Sequence, residues 1–323
     1  MEYPAFFEEH ISSIAERFAS AREIIANSVA FIFITDVHIH LNGRASVPLI
    51  LELGKRTGVD TVLCGGDHTW AFGSKAQCLA DFADSMAYMD RLRDSMKLYH
   101  ARGNHDVTVR SSWELNTGYT MPFDQVQRLF MAHMTPPTGV VVGKLYYYTD
   151  DPRSKIRYIV LDTCEGQGDE DAAWGVDIAV TDGQLQWLCK DALQLPGVDW
   201  SVVVMGHVPC VESIAGYHKS MDGIRVILEA FKAKKPCGYY DFSRSAGELV
   251  AYICGHNHKD RSTVCNGVLH ISTGCDSYCK DDDLPRDVGT INNTLFDLFL
   301  LNRSEKKLLA FRIGAGRDRE FDY

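Results

Sequence analysis

The sequence predicts an α/β protein built on more than one sheet, and three observations carry that reading. Short runs rich in β-branched and aromatic residues recur along the chain: "VAFIFIT", "DTVLC", "KLYHA", "IRYIVLDT", "WSVVVM", "LVAYIC" and "GVLHIST". Most are separated by stretches of helical periodicity, such as Ser46 to Thr57, Lys75 to Ser95 and Gly183 to Leu193, the spacing of strand–helix–strand units. The links mix long crossovers with hairpins over a span too long for one sheet.

The opening stretch, Phe6 to Ile25, places Ile11, Ile14, Phe18, Ile24 and Ile25 at helical intervals and reads as an amphipathic helix within an N-terminal segment over 1–28. At the other end, within 290–323, "TLFDLFLL" and "KKLLAFRI" flank the polar "NRSE" and read as a closing β-hairpin. No internal repeat, low-complexity tract or Pro/Ser-rich linker interrupts the chain, so 1–323 is expected to form one domain.

With 323 residues, 46% apolar and 24% charged, the composition is that of a globular chain long enough to bury a large core. The apolar run Val29 to Ile34 is far too short to cross a bilayer. The N-terminal "MEYPAFFEEH" carries acidic residues where a signal peptide would carry lysine or arginine, so a cytoplasmic protein without a membrane partner is expected. The ten cysteines are scattered, none spaced Cys-x-x-Cys, and several (Cys64, Cys189, Cys254) sit in or beside apolar runs. They read as reduced core residues, with Cys275 and Cys279 the pair closest to an exception. A formal net charge of −10 repels extended polyanions and disfavours nucleic acid as a partner.

The residues just past the apolar runs carry the chemistry. The first run ends in Asp36-Val37-His38, "DTVLC" in Gly65-Gly66-Asp67, "KLYHA" in Gly103-Asn104-His105-Asp106, "WSVVVM" in Gly206-His207, and "LVAYIC" in Gly255-His256-Asn257-His258. In open α/β sheets, ligands bind beyond the carboxyl ends of strands, so such residues converge in space though distant in sequence. A glycine before four of the five clusters permits a sharp turn and a close approach of backbone. Any one cluster alone reads as a turn, a surface histidine or an Asx turn opening a helix; all five in this order do not. Carboxylate oxygen, imidazole nitrogen and amide oxygen together suit a mixed N/O site for Mn, Fe or Zn. Two such ions about 3.5 to 4 Å apart would activate water and neutralise the oxygens of an in-line displacement at phosphorus.

The series Asp-x-His, Gly-Asp, Gly-Asn-His-Asp, Gly-His, Gly-His-x-His, spread over residues 36 to 258, resembles the calcineurin-like metallophosphoesterase superfamily. The resemblance implies a four-layer α/β/β/α sandwich of two mixed β-sheets flanked by helices, with a dinuclear metal centre in the loops. It implies Asp36, His38 and His258 on one ion, Asn104, His207 and His256 on the other, and Asp67 bridging the two. His105 would lie beside the leaving group as general acid or charge stabiliser, and Asp106 would support the loop. The family often places Asp, Asn or His three residues after the bridging aspartate to accept a hydrogen bond from that histidine, but here the residue is Trp70, and indole only donates. Either another group orients His105, with His68 or a backbone carbonyl as candidates, or its role is weaker. His40 is read as a loop or supporting residue rather than a ligand.

Residues 107–134 and 208–245 each come directly after a ligand cluster and are expected to shape the substrate pocket, with Arg110, His218, Lys219 and Arg244 as candidate phosphate contacts. The expected activity is hydrolysis of a small phosphomonoester or phosphodiester by direct attack of a metal-bound hydroxide. The alternative is a non-catalytic scaffold that keeps the fold as a binding surface. Such descendants tend to lose ligands, whereas all seven, with His105, are present.

Overall fold

The computed structural model describes residues 3–39, 44–70, 75–106, 108–110, 118–120, 123–165, 178–277 and 283–323. Along them run α1 (Glu8–Ile24), β1 (Val29–Ile34), α2 (Ser46–Thr57), β2 (Thr61–Cys64), α3 (Lys75–Asp90), β3 (Lys97–His100), β4 (Thr108–Arg110), β5 (Gly118–Thr120), α4 (Phe123–Ala132), β6 (Gly139–Val140), β7 (Tyr147–Asp151), β8 (Ile156–Val160), α5 (Asp182–Trp187), β9 (Ser201–Met205), α6 (Asp222–Lys232), β10 (Glu248–Cys254), β11 (Arg261–Cys265), β12 (Val268–Ser272), β13 (Leu295–Asn302), β14 (Lys307–Gly314) and β15 (Arg319–Asp322).

Two sheets hold these strands. The first has the order β15-β14-β13-β1-β2-β3 and the second β11-β12-β10-β9-β8-β7-β6, with β4 and β5 pairing apart. In the first, β1, β2 and β3 are parallel, in register Ile32↔Val62 and Val62↔Leu98, while β13 runs antiparallel to β1 with Phe31 opposite Phe299. In the second, β8, β9, β10 and β12 are parallel and the outer strands antiparallel. Both sheets are therefore mixed. The continuous apolar runs are explained by this: strands covered on both faces need no polar alternation.

Helices close the outer faces. Ile11, Ile14 and Phe18 of α1, with Leu49, Ile50 and Leu53 of α2, are buried against one face of the first sheet. Ile24 is 84% exposed: six residues past Phe18 it is rotated by about 240°, off the buried stripe to which its spacing had assigned it. Between the sheets, Phe31 packs on Phe299 and Tyr158, with ring centroids 5.2 and 5.4 Å away. The far face of the second sheet is covered by Leu185 and Trp187 of α5 and Ile224, Ile227 and Phe231 of α6. The result is a four-layer α/β/β/α sandwich. Among the described residues, no helix is long and apolar enough to cross a membrane. No disulfide joins two of the described cysteines, and Cys279 lies outside the described residues.

Candidate metal centre

Five strands, β1, β2 and β3 of the first sheet and β9 and β10 of the second, each parallel to its neighbours among these, release their chains toward one place, and backbone hydrogen bonds lace the exits together. The loop after β1 lies on the loop after β2, with Asp36 N–H donating to Gly66 O (2.9 Å) and His38 N–H to Asp67 O (3.1 Å). Within the second sheet Gly255 N–H donates to His207 O (3.1 Å), and across the sheets His256 N–H donates to Asp36 Oδ2 (3.1 Å). Asp36, His38, Asp67, His256 and His258 have φ of 52°, 36°, 54°, 75° and 59°, the left-handed region that non-glycine residues avoid. Half of the ten such residues in the described chain are thus at this one site. Strain concentrated there is held by the surrounding bonds and is the mark of side chains aimed at a ligand.

The side chains form two sets sharing one carboxylate. In the first, His38 Nε2 lies 3.3 Å from His258 Nε2, and His258 Nε2 lies 3.3 Å from Asp36 Oδ1. His38 Nε2 is 4.0 Å from both Asp36 Oδ1 and Asp67 Oδ2, and the ligating atoms of Asp36, His38, Asp67 and His258 all fall within 4.8 Å of one another. In the second, Asn104 Oδ1 is 3.0 Å from His207 Nε2 and 2.8 Å from His256 Nδ1, and Asp67 Oδ2 is 3.2 Å from His207 Nε2. Asp67 Oδ2 therefore faces both sets.

Whether cations fit is decided by the atoms left over. Asp36 Oδ2 accepts from the Thr35 hydroxyl (2.8 Å), and Asp67 Oδ1 accepts from His105 N–H (2.8 Å). Their other oxygens, Asp36 Oδ1 and Asp67 Oδ2, are buried without a hydrogen bond, which is costly unless a positive charge meets them. His38 Nδ1 faces Thr69 O (2.7 Å) and His207 Nδ1 faces Gly65 O (2.8 Å). A carbonyl only accepts, so both rings carry a proton on Nδ1 and turn Nε2 inward, the orientation seen in metal-bound histidines. The residues fit two ions of the Mn, Fe or Zn kind.

Burial opposes charge here, and the neighbours decide which groups keep it. Burial pushes Asp36 up, but the nearby imidazole of His258 and the charge of His207 hold it at about 2. Burial lowers His38 to about 4 against the pull of Asp67, and burial and the charge of His207 take His256 to about 3. His207 is the opposite case: the charge of Asp67 overcomes burial and raises it to about 9.

His105 Nε2 points to the shared oxygen, 4.0 Å from Asp67 Oδ2. Its Nδ1 lies 2.9 Å from the backbone carbonyl of Trp70, so the main chain, not His68, supplies the acceptor that the indole lacks. The two rings stack, 8° from parallel, with centroids 5.2 Å apart. Asp106 ties the loops: Oδ2 accepts from Asp67 N–H (3.0 Å) and Gly103 N–H (2.9 Å), Oδ1 from His68 N–H (2.8 Å). His68 Nδ1 completes that link, 3.0 Å from Asp106 Oδ2.

Three of the candidate phosphate contacts, His218, Lys219 and Arg244, lie among the described side chains. His218 is exposed and caps the short helical turn Lys219–Met221, its Nδ1 accepting from Ser220 N–H, while Lys219 and Arg244 are exposed. Among the described residues, no hydrogen bond or ion pair links these three to the centre. The side chain of Arg110 and the whole of His40 lie outside the described residues. Residues not singled out in sequence also shape the site. Thr163 Oγ1 accepts from His207 N–H and Val208 N–H, both at 3.2 Å. Arg102 makes a buried two-pronged pair with Asp162 at 2.9 and 2.7 Å, joining the loop after β3 to the end of β8. The signal for it is present in "IRYIVLDT", a sixth apolar run ending in an acidic residue.

Fold and site together define an α/β protein with a cluster of Asp, His and Asn side chains that could hold metal ions at the carboxyl ends of strands from two facing sheets. The family model for calcineurin-like phosphoesterases matches residues 29–260, and the chain belongs to that family, one of metal-dependent phosphoester hydrolases. No curated protein matches the chain by sequence. Several solved structures are similar to the chain at low identity. GAP50, described as the anchor in the inner membrane complex of Plasmodium, is 12% identical, with 91% of this chain and 89% of that one covered and a TM-score of 0.49. A 5'-nucleotidase candidate from Staphylococcus aureus is also 12% identical, with 91% of this chain but 54% of that one covered and a TM-score of 0.48. An archaeal phosphodiesterase is 13% identical, covering 91% and 99%, with a TM-score of 0.35.

Proposed function

We propose that the protein is a dinuclear metal-dependent hydrolase of small phosphomonoesters or phosphodiesters. One observation carries the reading: Asp67 Oδ2, buried and without a hydrogen bond, stands between two sets of nitrogen and oxygen donors. Asp36, His38 and His258 would hold one ion, Asn104, His207 and His256 the other, and Asp67 both. Bound there, two ions of the Mn, Fe or Zn kind supply Lewis acidity toward the phosphoryl oxygens and a nucleophile from water at neutral pH. The rest falls to the protein. His256 and His258 are the partly exposed members of the cluster, so the phosphoryl group approaches from their side. His105, its Nδ1 held by Trp70 O, offers Nε2 to the departing oxygen.

The test is metal analysis of the purified protein joined to a screen of phosphomonoesters, cyclic nucleotides and phosphodiesters. Two ions per chain and turnover of at least one ester class is the expected result. A protein loaded with both ions yet inert toward every class would instead identify a binding scaffold.

A further inference from the structure

A second group of metal-ligating side chains lies in the core, and its chemistry is different. Cys64 at the end of β2, His68 just past Asp67 and His100 at the end of β3 are all buried, and one donor atom of each falls within 4.8 Å of the others. His68 Nε2 is 2.9 Å from His100 Nδ1 and 3.3 Å from Cys64 Sγ. Phe130 packs edge-on against both imidazoles, with centroids 5.3 and 5.9 Å away.

The outer nitrogens settle what the inner ones are. His68 Nδ1 faces a carboxylate oxygen, Asp106 Oδ2, at 3.0 Å, and His100 Nε2 faces the carbonyl of His133 at 3.2 Å. Both partners accept, so both outer nitrogens carry hydrogen, and in the neutral rings the inner nitrogens are lone pairs pointing at each other across 2.9 Å. Such a contact is repulsive unless a cation lies between them. A proton would serve, but a proton needs only two donors. Here a third and softer one, the Cys64 sulfur, meets the same nitrogen, and the outer bonds to carboxylate and carbonyl are those that orient metal-bound histidines.

We propose that Cys64, His68 and His100 bind one soft or borderline d-block cation, of the zinc and copper class, separate from the ions of the catalytic centre. Two imidazoles and a thiolate select such ions over Mg or Mn. Bonds of about 2.0 Å to nitrogen and about 2.3 Å to sulfur suit donors roughly 3 Å apart. On binding, a metal–sulfur bond forms and the thiol proton leaves to solvent. The thiolate and Asp106 then balance a dication where no surface is exposed. Since Asp106 also holds the backbone of Asp67 and Gly103, the ion would stiffen the floor of the catalytic loops. The proposal does not depend on hydrolytic activity.

Because the site is buried, the ion must enter during folding, so the whole protein is expressed in cobalt-supplemented medium and compared with Cys64→Ser and Cys275→Ser. The second control matters, because among the described residues Cys275 is the other thiol placed with metal-ligating groups, its Sγ within 4.8 Å of the ligating nitrogens of His38 and His258. The expected result is a near-ultraviolet sulfur-to-cobalt charge-transfer band in the wild type and in Cys275→Ser, lost in Cys64→Ser together with one cobalt per chain. A wild type without the band, or a band that vanishes in Cys275→Ser and persists in Cys64→Ser, overturns the proposal and leaves a proton between the histidines. Should Cys64→Ser fail to fold, the other two spectra still decide.

Discussion

Trp70 holds the ring of His105 in two ways: Nδ1 donates to the carbonyl of Trp70 at 2.9 Å, and the indole lies 8° from parallel over the imidazole. The acceptor is main chain, so it does not depend on the side chain at position 70. Trp70→Leu should therefore keep the hydrogen bond and lose only the stacking, whereas His105→Ala removes the proton donor itself, typically costing ~10² to 10⁴ in rate. We expect kcat of Trp70→Leu to stay within about tenfold of wild type on aryl and alkyl phosphate esters alike, since the donor group remains in place. Trp70→Asp should give no selective gain on alkyl esters, because the nitrogen it would engage is already taken. A Trp70→Leu enzyme as impaired as His105→Ala would show that stacking, not the carbonyl, places the ring.

Asp67 and His105 should separate metal binding from proton transfer. The Asp67 carboxylate faces both ligand sets, and its second oxygen also anchors His105 N–H. Asp67→Ala is expected to lose both bound ions and all measurable hydrolysis. His105→Ala is expected to keep its metal content and a residual rate ~10² to 10⁴ below wild type. Elemental analysis beside a rate measurement reads both; equal metal content in the two variants would show that Asp67 is not the bridge.

Most of this site is legible in the sequence because its residues come directly after buried strands, where a β-rich run stops and a polar cluster begins. β1, β2, β3, β9 and β10 fall on the predicted runs, and the clusters after them converge as carboxyl ends of parallel strands do. The supports are harder to see. The Trp70 carbonyl carries no side-chain signature, since any residue at that position offers the same oxygen. The Arg102–Asp162 pair joins positions 60 apart, and only the fold shows that the ends of β3 and β8 meet. The short edge strands β6, β11 and β15 are silent for a different reason: β11 alternates exposed and half-buried positions, so it lacks the apolar continuity that marks the central strands.

Acidity should govern loading of the second ion. In the metal-free protein the charge of Asp67, against burial, raises His207 to about 9, above the ordinary histidine value of ~6.5. The protonated pair therefore stabilises the metal-free fold fully below about 6.5, and that contribution is lost as pH rises through about 9. A metal at Asn104, His207 and His256 must displace this proton, so its affinity should rise about tenfold per pH unit across neutral pH. His38 at about 4 and His256 at about 3 are already neutral there and add no slope. Calorimetric titration of the apo protein in buffers of different ionisation enthalpy counts the protons released. Release of about one proton for this ion near pH 7 is expected; an affinity independent of pH would mean that His207 is not the proton's seat.

The closest backbone approach in the site makes the last prediction. A Cβ built on Gly103 would overlap both the Oδ1 and the backbone nitrogen of Asp67. Neither atom is free to retreat, since Oδ1 holds His105 N–H at 2.8 Å and the nitrogen is bound to Asp106 Oδ2 at 3.0 Å. Gly103→Ala must therefore push Asp67 out of its place between the two ligand sets rather than compress a flexible side chain. Gly255→Ala should act on the other side of the centre, where the added carbon would overlap Thr35 Oγ1 and Asp36 Oδ2. Gly238, which has nothing within 4 Å of such a carbon, provides the control that separates local clash from general cost. We expect Gly238→Ala to keep wild-type metal content and melting temperature. Gly103→Ala and Gly255→Ala should each lose metal and melt lower, by an amount on the order of 1–3 kcal/mol as overpacking in a rigid site costs. A Gly103→Ala protein that binds both ions with unchanged affinity would mean that the loop after β3 can shift away from Asp67 without disturbing it, and that the tight crossing of the two loops is not what positions the shared carboxylate.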